Sequence, residues 1–135
     1  IWPTVWHHEL QTPGSKAFVA AFIKKHGKPP ENHAWIEYVS LKMMAQAMNE
    51  AKSTDTDKLI AYFESEAQFD LLKARKGYFR SWDHQLMQEA YPFTVKPKGQ
   101  AKNKWDFLKF GEAVPRADQP LELLATTKAE NTCKM

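Results

Sequence analysis

The stretch from Pro29 to Phe63, PPENHAWIEYVSLKMMAQAMNEAKSTDTDKLIAYF, limits the possible folds most. Ala34, Tyr38, Leu41, Met44, Ala45, Met48 and Ala51 recur at three- and four-residue steps, the spacing of one helix face. A helix from about His33 to Lys52 is roughly 30 Å long at ~1.5 Å per residue. Pro29 and Pro30 cannot lie inside it and fix its start, with Asn32 as the expected N-cap. Ser53 to Asp57 then breaks the helix. Thr54 with Asp57 resembles a capping box, and Leu59, Ile60 and Phe63 give a second, short helix its apolar face.

Upstream, IWPTVWHHELQ reads as an edge strand or irregular segment around Pro3. Ser15 is the expected cap of a helix to about His26, closed by Gly27 at C′, with Lys24, Lys25 and His26 at its negative end. Downstream, Phe69 to Leu72 and Tyr78-Phe79 read as two strands of a hairpin around the charged loop Lys73 to Gly77. Residues 91–96 alternate as a strand, Lys96 to Lys104 is a polar loop, and WDFLKF at 105–110 predicts a helical turn or two. The tail from Pro115 is irregular apart from Leu121 to Leu124. Three amphipathic helices and so little sheet leave apolar faces without cover. A platform from elsewhere is expected beneath them.

At 135 residues, 43% hydrophobic and 13% aromatic, the chain has the composition of a folded domain. A formal charge of +3 singles out neither nucleic acid nor an acidic membrane. No apolar run approaches the ~18 residues of a membrane span. The chain begins with Ile1 rather than Met, which fits processing or a piece of a longer polypeptide.

The candidate chemistry is sparse. His7-His8-Glu9 invites a metal reading, but adjacent His residues in an extended segment point to opposite faces and no third ligand is near, so no metal is expected. Asp83-His84, with Ser81 nearby, has the residue types of part of an acyl-transfer triad. No G-x-S-x-G elbow accompanies it, and the plainer reading is that Asp83 and Gln85 cap a turn beside an exposed Arg80–Asp83 pair. A small hydrolase using His7, His8, Asp83 or His84 is the enzyme alternative. Lys96, Lys98, Lys102 and Lys104 beside Phe93 and Trp105 mimic a nucleic-acid strip, but without Arg they read as a solvated loop, with a Lys–Trp105 cation–π contact as a minor addition. Nucleic acid is therefore not an expected partner. Met43, Met44 and Met48 read as packing, and the isolated glycines give no phosphate loop and no cofactor.

Several segments carry a resemblance. The long helix with its A-x-x-x-Y-x-x-x-K pattern and Ser-Thr-Asp break, the KAFVAAF…GKPP segment at 16–30, FRSWDHQ at 79–85 and TCKM at 132–135 occur together in this chain. Together they resemble the closing part of periplasmic solute-binding proteins of the branched-chain amino acid type. The residues before Gly77 depart from the family's small or turn-forming ones. The resemblance implies an α/β fold: the C-terminal part of a two-lobed type I periplasmic-binding-protein fold, its helices packing on a sheet largely supplied by missing upstream residues. It makes 1–14 an interlobe crossing segment and turn, 15–85 the helices and hairpin of one lobe, 86–111 a second crossing and return strand, and 112–135 a tail. It implies a non-catalytic, periplasmic component of an ABC transporter. That component binds an amino acid or an aromatic or aliphatic carboxylate between its lobes and delivers it to a membrane permease. A ligand-sensing receptor domain of the same fold is the close alternative. Trp6 and His7 would line the rim of the cleft. Cys133 would either bond to the missing N-terminal part or stay a free thiol.

Overall fold

The computed structural model describes residues 1–132, and Cys133 lies outside them. The elements run β1 (Trp2–Thr4), α1 (Pro13–His26), α2 (Asn32–Ala51), α3 (Thr56–Glu64), β2 (Tyr78–Phe79), β3 (Leu86–Met87), β4 (Tyr91–Val95), β5 (Leu108–Phe110) and a 3₁₀ turn, Leu121–Leu124. Two small antiparallel sheets form. One has the order β1-β4-β5, with Trp2 opposite Phe93 and Phe93 opposite Phe110; the other is the β2–β3 hairpin. Pro3 sits on the edge strand β1, where its missing N–H costs no ladder bond.

Helix α1 starts earlier than expected. Its N-cap is Thr12, whose side chain accepts from the Ser15 amide, with Pro13 in the first turn. Ser15 is freed for another task, because its side chain is wholly buried. Its hydroxyl donates to the Leu72 carbonyl at 2.8 Å and accepts from the Trp6 indole at 2.9 Å. The other end is as expected: Gly27 closes the helix at φ 70, its amide donating to Ile23.

Helix α2 corrects the reading of its faces. Trp35, Val39, Met43 and Ala47, an unbroken i+4 row, are buried. The stripe picked from spacing is the outer one. Leu41 is 71% exposed, and Tyr38, Met44 and Met48 are partly so. Apolar residues surround this helix almost completely, so spacing alone favoured the more populated side over the one carrying the indole. Its N-cap is Glu31, which makes no side-chain cap bond, while the Asn32 side-chain amide donates to Thr4 Oγ1 at 2.8 Å. Helix α3 is capped by Asp55, which accepts from the Lys58 amide, rather than by Thr54.

The core gathers Trp6, Trp35, Val39, Met43, Phe69, Leu71 and Leu72, with Phe18, Phe63 and Phe79 packed around it. Trp6 lies parallel to Trp35 at 6.0 Å between ring centres. Leu72 holds φ 63, unfavourable for a bulky residue. It is fixed there by three contacts: Asp70 accepts from its amide, and the hydroxyls of Thr12 and Ser15 donate to its carbonyl.

The hairpin is also displaced. Residues 69 and 77 form one isolated bridge, and the two-stranded hairpin proper is β2–β3 around residues 80–85. Gly77 allows this close passage, since a Cβ there would lie 2.5 Å from Leu71 Cδ1 and 2.8 Å from the Met87 carbonyl oxygen. Residues 108–110 form strand β5, not a helix. The Asn103 side chain and carbonyl turn the chain at 103–106, and the segment then finds β4 as a partner that local sequence could not reveal.

Candidate functional site

The segment after β1 is pinned at Trp6. The indole is 0% exposed and its only N–H is used by Ser15, so Trp6 is a core anchor whose side chain offers no free polar group. The next two residues leave the core. His7 lies 4.0 Å from the His8 ring and 4.3 Å from the Phe110 ring of β5. Its Nδ1 accepts from the Glu9 amide at 3.3 Å. An acceptor at Nδ1 places the proton of the neutral ring on Nε2.

Trp6, His7 and His8 form one side of a cavity of about 230 Å³. Pro29, Pro30 and Asn32, at the α1–α2 junction, and Trp105, Phe107 and Leu108, leading into β5, complete it together with Glu31. The site is therefore built from three separate parts of the chain. Each is held for a local reason: Trp6 by its buried bond, the prolines by their fixed φ, and the 105–108 segment by pairing with β4.

A charged cluster stands behind the histidines. Asp106, 6% exposed, accepts from Lys96 Nζ and from the Lys102 amide. The Lys96 ammonium, then the Lys102 amide, hold the Asp106 carboxyl down at about 2. Burial, then the neighbouring His8 and Lys96, push His7 down to about 4, and burial lowers His8 as well. Burial and contact with Asp106 raise Glu9. At neutral pH the His7 ring is therefore uncharged: a polar, flat surface and not a cation. Among the described residues no group of three or more His, Cys, Asp and Glu is placed to hold a metal ion.

The Asp83–His84 pair is split. Asp83 accepts from Arg80, whose side chain also reaches Gln85 and the Thr126 carbonyl and stacks on Trp82 at 4.1 Å. Asp83 Oδ1 accepts from the Gln85 amide, the turn chemistry expected there. Arg80 is 4% exposed, so the pair is a buried clamp rather than the exposed one expected. His84 turns away to Glu64 of α3, at 2.7 Å. It borders a second, apolar notch with Ile60, Phe63 and Phe79, away from His7 and His8. In the lysine-rich loop, Lys104 lies over Trp105 at 5.0 Å.

Sequence reasoning missed one group entirely. Lys73, read as a loop residue, is buried, and its ammonium donates to Gln88 Oε1 and the Glu89 carbonyl, both at 2.6 Å, above the Trp35 ring. Burial, partly offset by Glu89, lowers it to about 7. The Glu89 carboxylate, 2% exposed, accepts from Arg75 Nε at 3.2 Å and from the Tyr91 hydroxyl. Arg75 donates onward to the carbonyls of Pro115 and Gln119. Lys73 and Arg75 lie about 15 residues from Glu89 and farther still from the tail, so no local pattern could have announced the group.

A family model described as periplasmic binding protein matches residues 1–101. A solved periplasmic binding protein from Burkholderia mallei is 27% identical, over 97% of this chain and 32% of its own, at a TM-score of 0.81. An ABC-type branched-chain amino acid transporter from Rhodopseudomonas palustris is 30% identical over 82% of this chain and 29% of its own, at 0.71. A branched-chain amino acid ABC transporter periplasmic ligand-binding protein from Burkholderia xenovorans is 25% identical over the same shares, 82% and 29%, at 0.72. The chain thus spans about a third of the length of the solved structures it matches. No curated protein matches it.

Proposed function

Because the chain belongs to the periplasmic binding protein family, we propose that it forms the hinge and part of one lobe of an extracytoplasmic solute-binding component of an ABC transporter. The ligand is an amino acid or related carboxylate, held between two lobes and handed to a membrane permease. The observation that carries this reading is the pairing of β1 with β4. Two segments far apart in sequence run side by side as antiparallel neighbours, an arrangement that suits two passages between the same pair of lobes. On this reading residues 1–14 and 86–111 are the crossings, 15–85 belong to one lobe, and 112–132 form a tail strapped back by Arg75 and Arg80. The cavity beside His7 opens next to the crossings, where motion of one lobe against the other would change it most.

The partly exposed outer face of α2, with Leu41, Tyr38 and Met44, supports a larger protein. A sheet supplied by residues outside these 135 would cover it. Closure follows from population shift: a ligand that touches both lobes only when they are shut favours the shut state by that difference in contacts.

A thermal-shift screen of the full-length protein against amino acids and small carboxylates tests this. A true ligand at about a hundredfold excess over Kd adds about 2.7 kcal/mol of stability. A flat response across the whole panel would contradict the proposal.

A further inference from the structure

After β5 the chain turns back toward the loop that precedes the β2–β3 hairpin. The Gly111 amide donates to the Pro92 carbonyl, and Val114 pairs with Ala90. Four side-chain bonds then hold the stretch from Pro115 to Thr126. Arg75 donates to the carbonyls of Pro115 and Gln119, each at 2.7 Å, and Arg80 to the Thr126 carbonyl at 2.9 Å. Between them the Tyr78 hydroxyl donates to the Glu122 carboxylate. On the two-lobe reading above, on which this inference rests, β4 and β5 lie past the crossing and residues 75–80 lie before it. We propose that the tail is a tether across the hinge, and that its short span limits how far the lobes part when no solute is bound.

The anchors are firm. Arg75 Nε is paired with the buried Glu89 carboxylate, and Arg80, 4% exposed, is paired with Asp83 and stacked on Trp82. Neither guanidinium can follow a departing tail without leaving a buried partner. Packing beneath the tail is looser. A cavity of about 200 Å³ separates it from the hairpin, bordered by Met87 and Ala90 on one side and Leu121 and Leu124 on the other. Directional bonds to backbone carbonyls, more than apolar burial, therefore hold the tail in place.

The span is short. Phe110 ends β5, and Pro115 carries the first anchored carbonyl. Five Cα steps reach at most ~18 Å when fully extended. Gly111 and Val114 are already bonded to Pro92 and Ala90, so slack is confined to Glu112 and Ala113. Opening beyond that reach breaks the Ala90–Val114 pair or draws an arginine from its carbonyl. Either loss opposes opening, so the solute-free population stays nearer the shut state.

The test inserts a Gly-Ser spacer of about six residues between Glu112 and Ala113 of the full-length protein, adding up to ~20 Å of slack while keeping every anchor. The same spacer between Gln100 and Ala101, in the exposed β4–β5 loop, controls for added mass. In small-angle X-ray scattering without solute, the spacer after Glu112 should raise the radius of gyration above that of both the parent and the control. A chain ending at Glu112 should open at least as far, and it carries the test if the spacer form does not fold. Equal radii for all these forms, with leucine or another amino acid of the thermal screen compacting the parent, would overturn the tether and leave the hinge standing. Equal radii with no compaction of the parent by any compound of that screen would remove the hinge reading and the tether with it.

Discussion

Ser15 shows how much one small side chain decides. Its hydroxyl is the acceptor for the Trp6 indole and one of two hydroxyls donating to the carbonyl of the strained Leu72. Ser15→Ala leaves a fully buried indole N–H without a partner, while Thr12 still serves Leu72. The expected loss is about 1–3 kcal/mol in denaturant unfolding. An unchanged midpoint would mean the Trp6 bond contributes nothing. His7 gives the pH prediction at the same scale. Its pKa is depressed to about 4 from 6.5, so the unfolded chain binds its proton first as acid is added. Its stabilising share is complete above 6.5, declines as pH falls, and is gone once pH has passed through 4. At ~1.36 kcal/mol per pH unit it amounts to at most about 3 kcal/mol, and less after solvent screening, the side chain being 12% exposed. Denaturant unfolding from pH 7 to 4 should therefore show a shallower acid loss in His7→Gln than in the parent protein. Equal slopes would contradict the burial of that ring.

At the scale of elements, the Lys73–Glu89–Arg75 group joins three stretches: the 69–77 loop, the approach to β4, and the tail at 115–119, the last two also meeting at the Ala90–Val114 bridge. Removing its centre should release the tail. Glu89→Ala leaves the Arg75 guanidinium without its carboxylate and the Tyr91 hydroxyl without its acceptor, an expected cost of about 3–5 kcal/mol. Amide exchange at 112–126 should quicken with it, and exchange in α2 far less. Uniform quickening everywhere would mean the group supports the whole fold and not this junction. The elements legible in the sequence were those whose limits are written locally. Gly27 ends α1 because the left-handed backbone there suits glycine, and β4 alternates visibly. The rest depended on distant partners. Residues 108–110 become a strand because β4 offers an edge, and the hairpin moves because Gly77 lets Met87 come close. The buried face of α2 was misread because its choice is made by Trp6 and Leu71, outside the helix. Of the candidate cavity, Trp6 and His7 come from the resemblance alone, which places their segment at an interlobe crossing. Phe107 and the proline wall had no such signal, since only folding brings 29–32 against 105–108.

At the scale of the molecule, the account rests on β1 and β4 being the crossings of a clamshell whose remaining parts lie outside these 135 residues. On that proposal, the exposed side of α2, the tail and the cavity beside β1 are parts of one lobe and its cleft. Hinge closure reduces overall dimensions without rearranging either lobe. Small-angle X-ray scattering of the full-length protein, with and without a saturating ligand identified by the thermal screen, tests this directly. The account predicts a smaller radius of gyration and a shorter maximum dimension in the bound state. Superimposable scattering curves, with binding confirmed in the same sample, would contradict it.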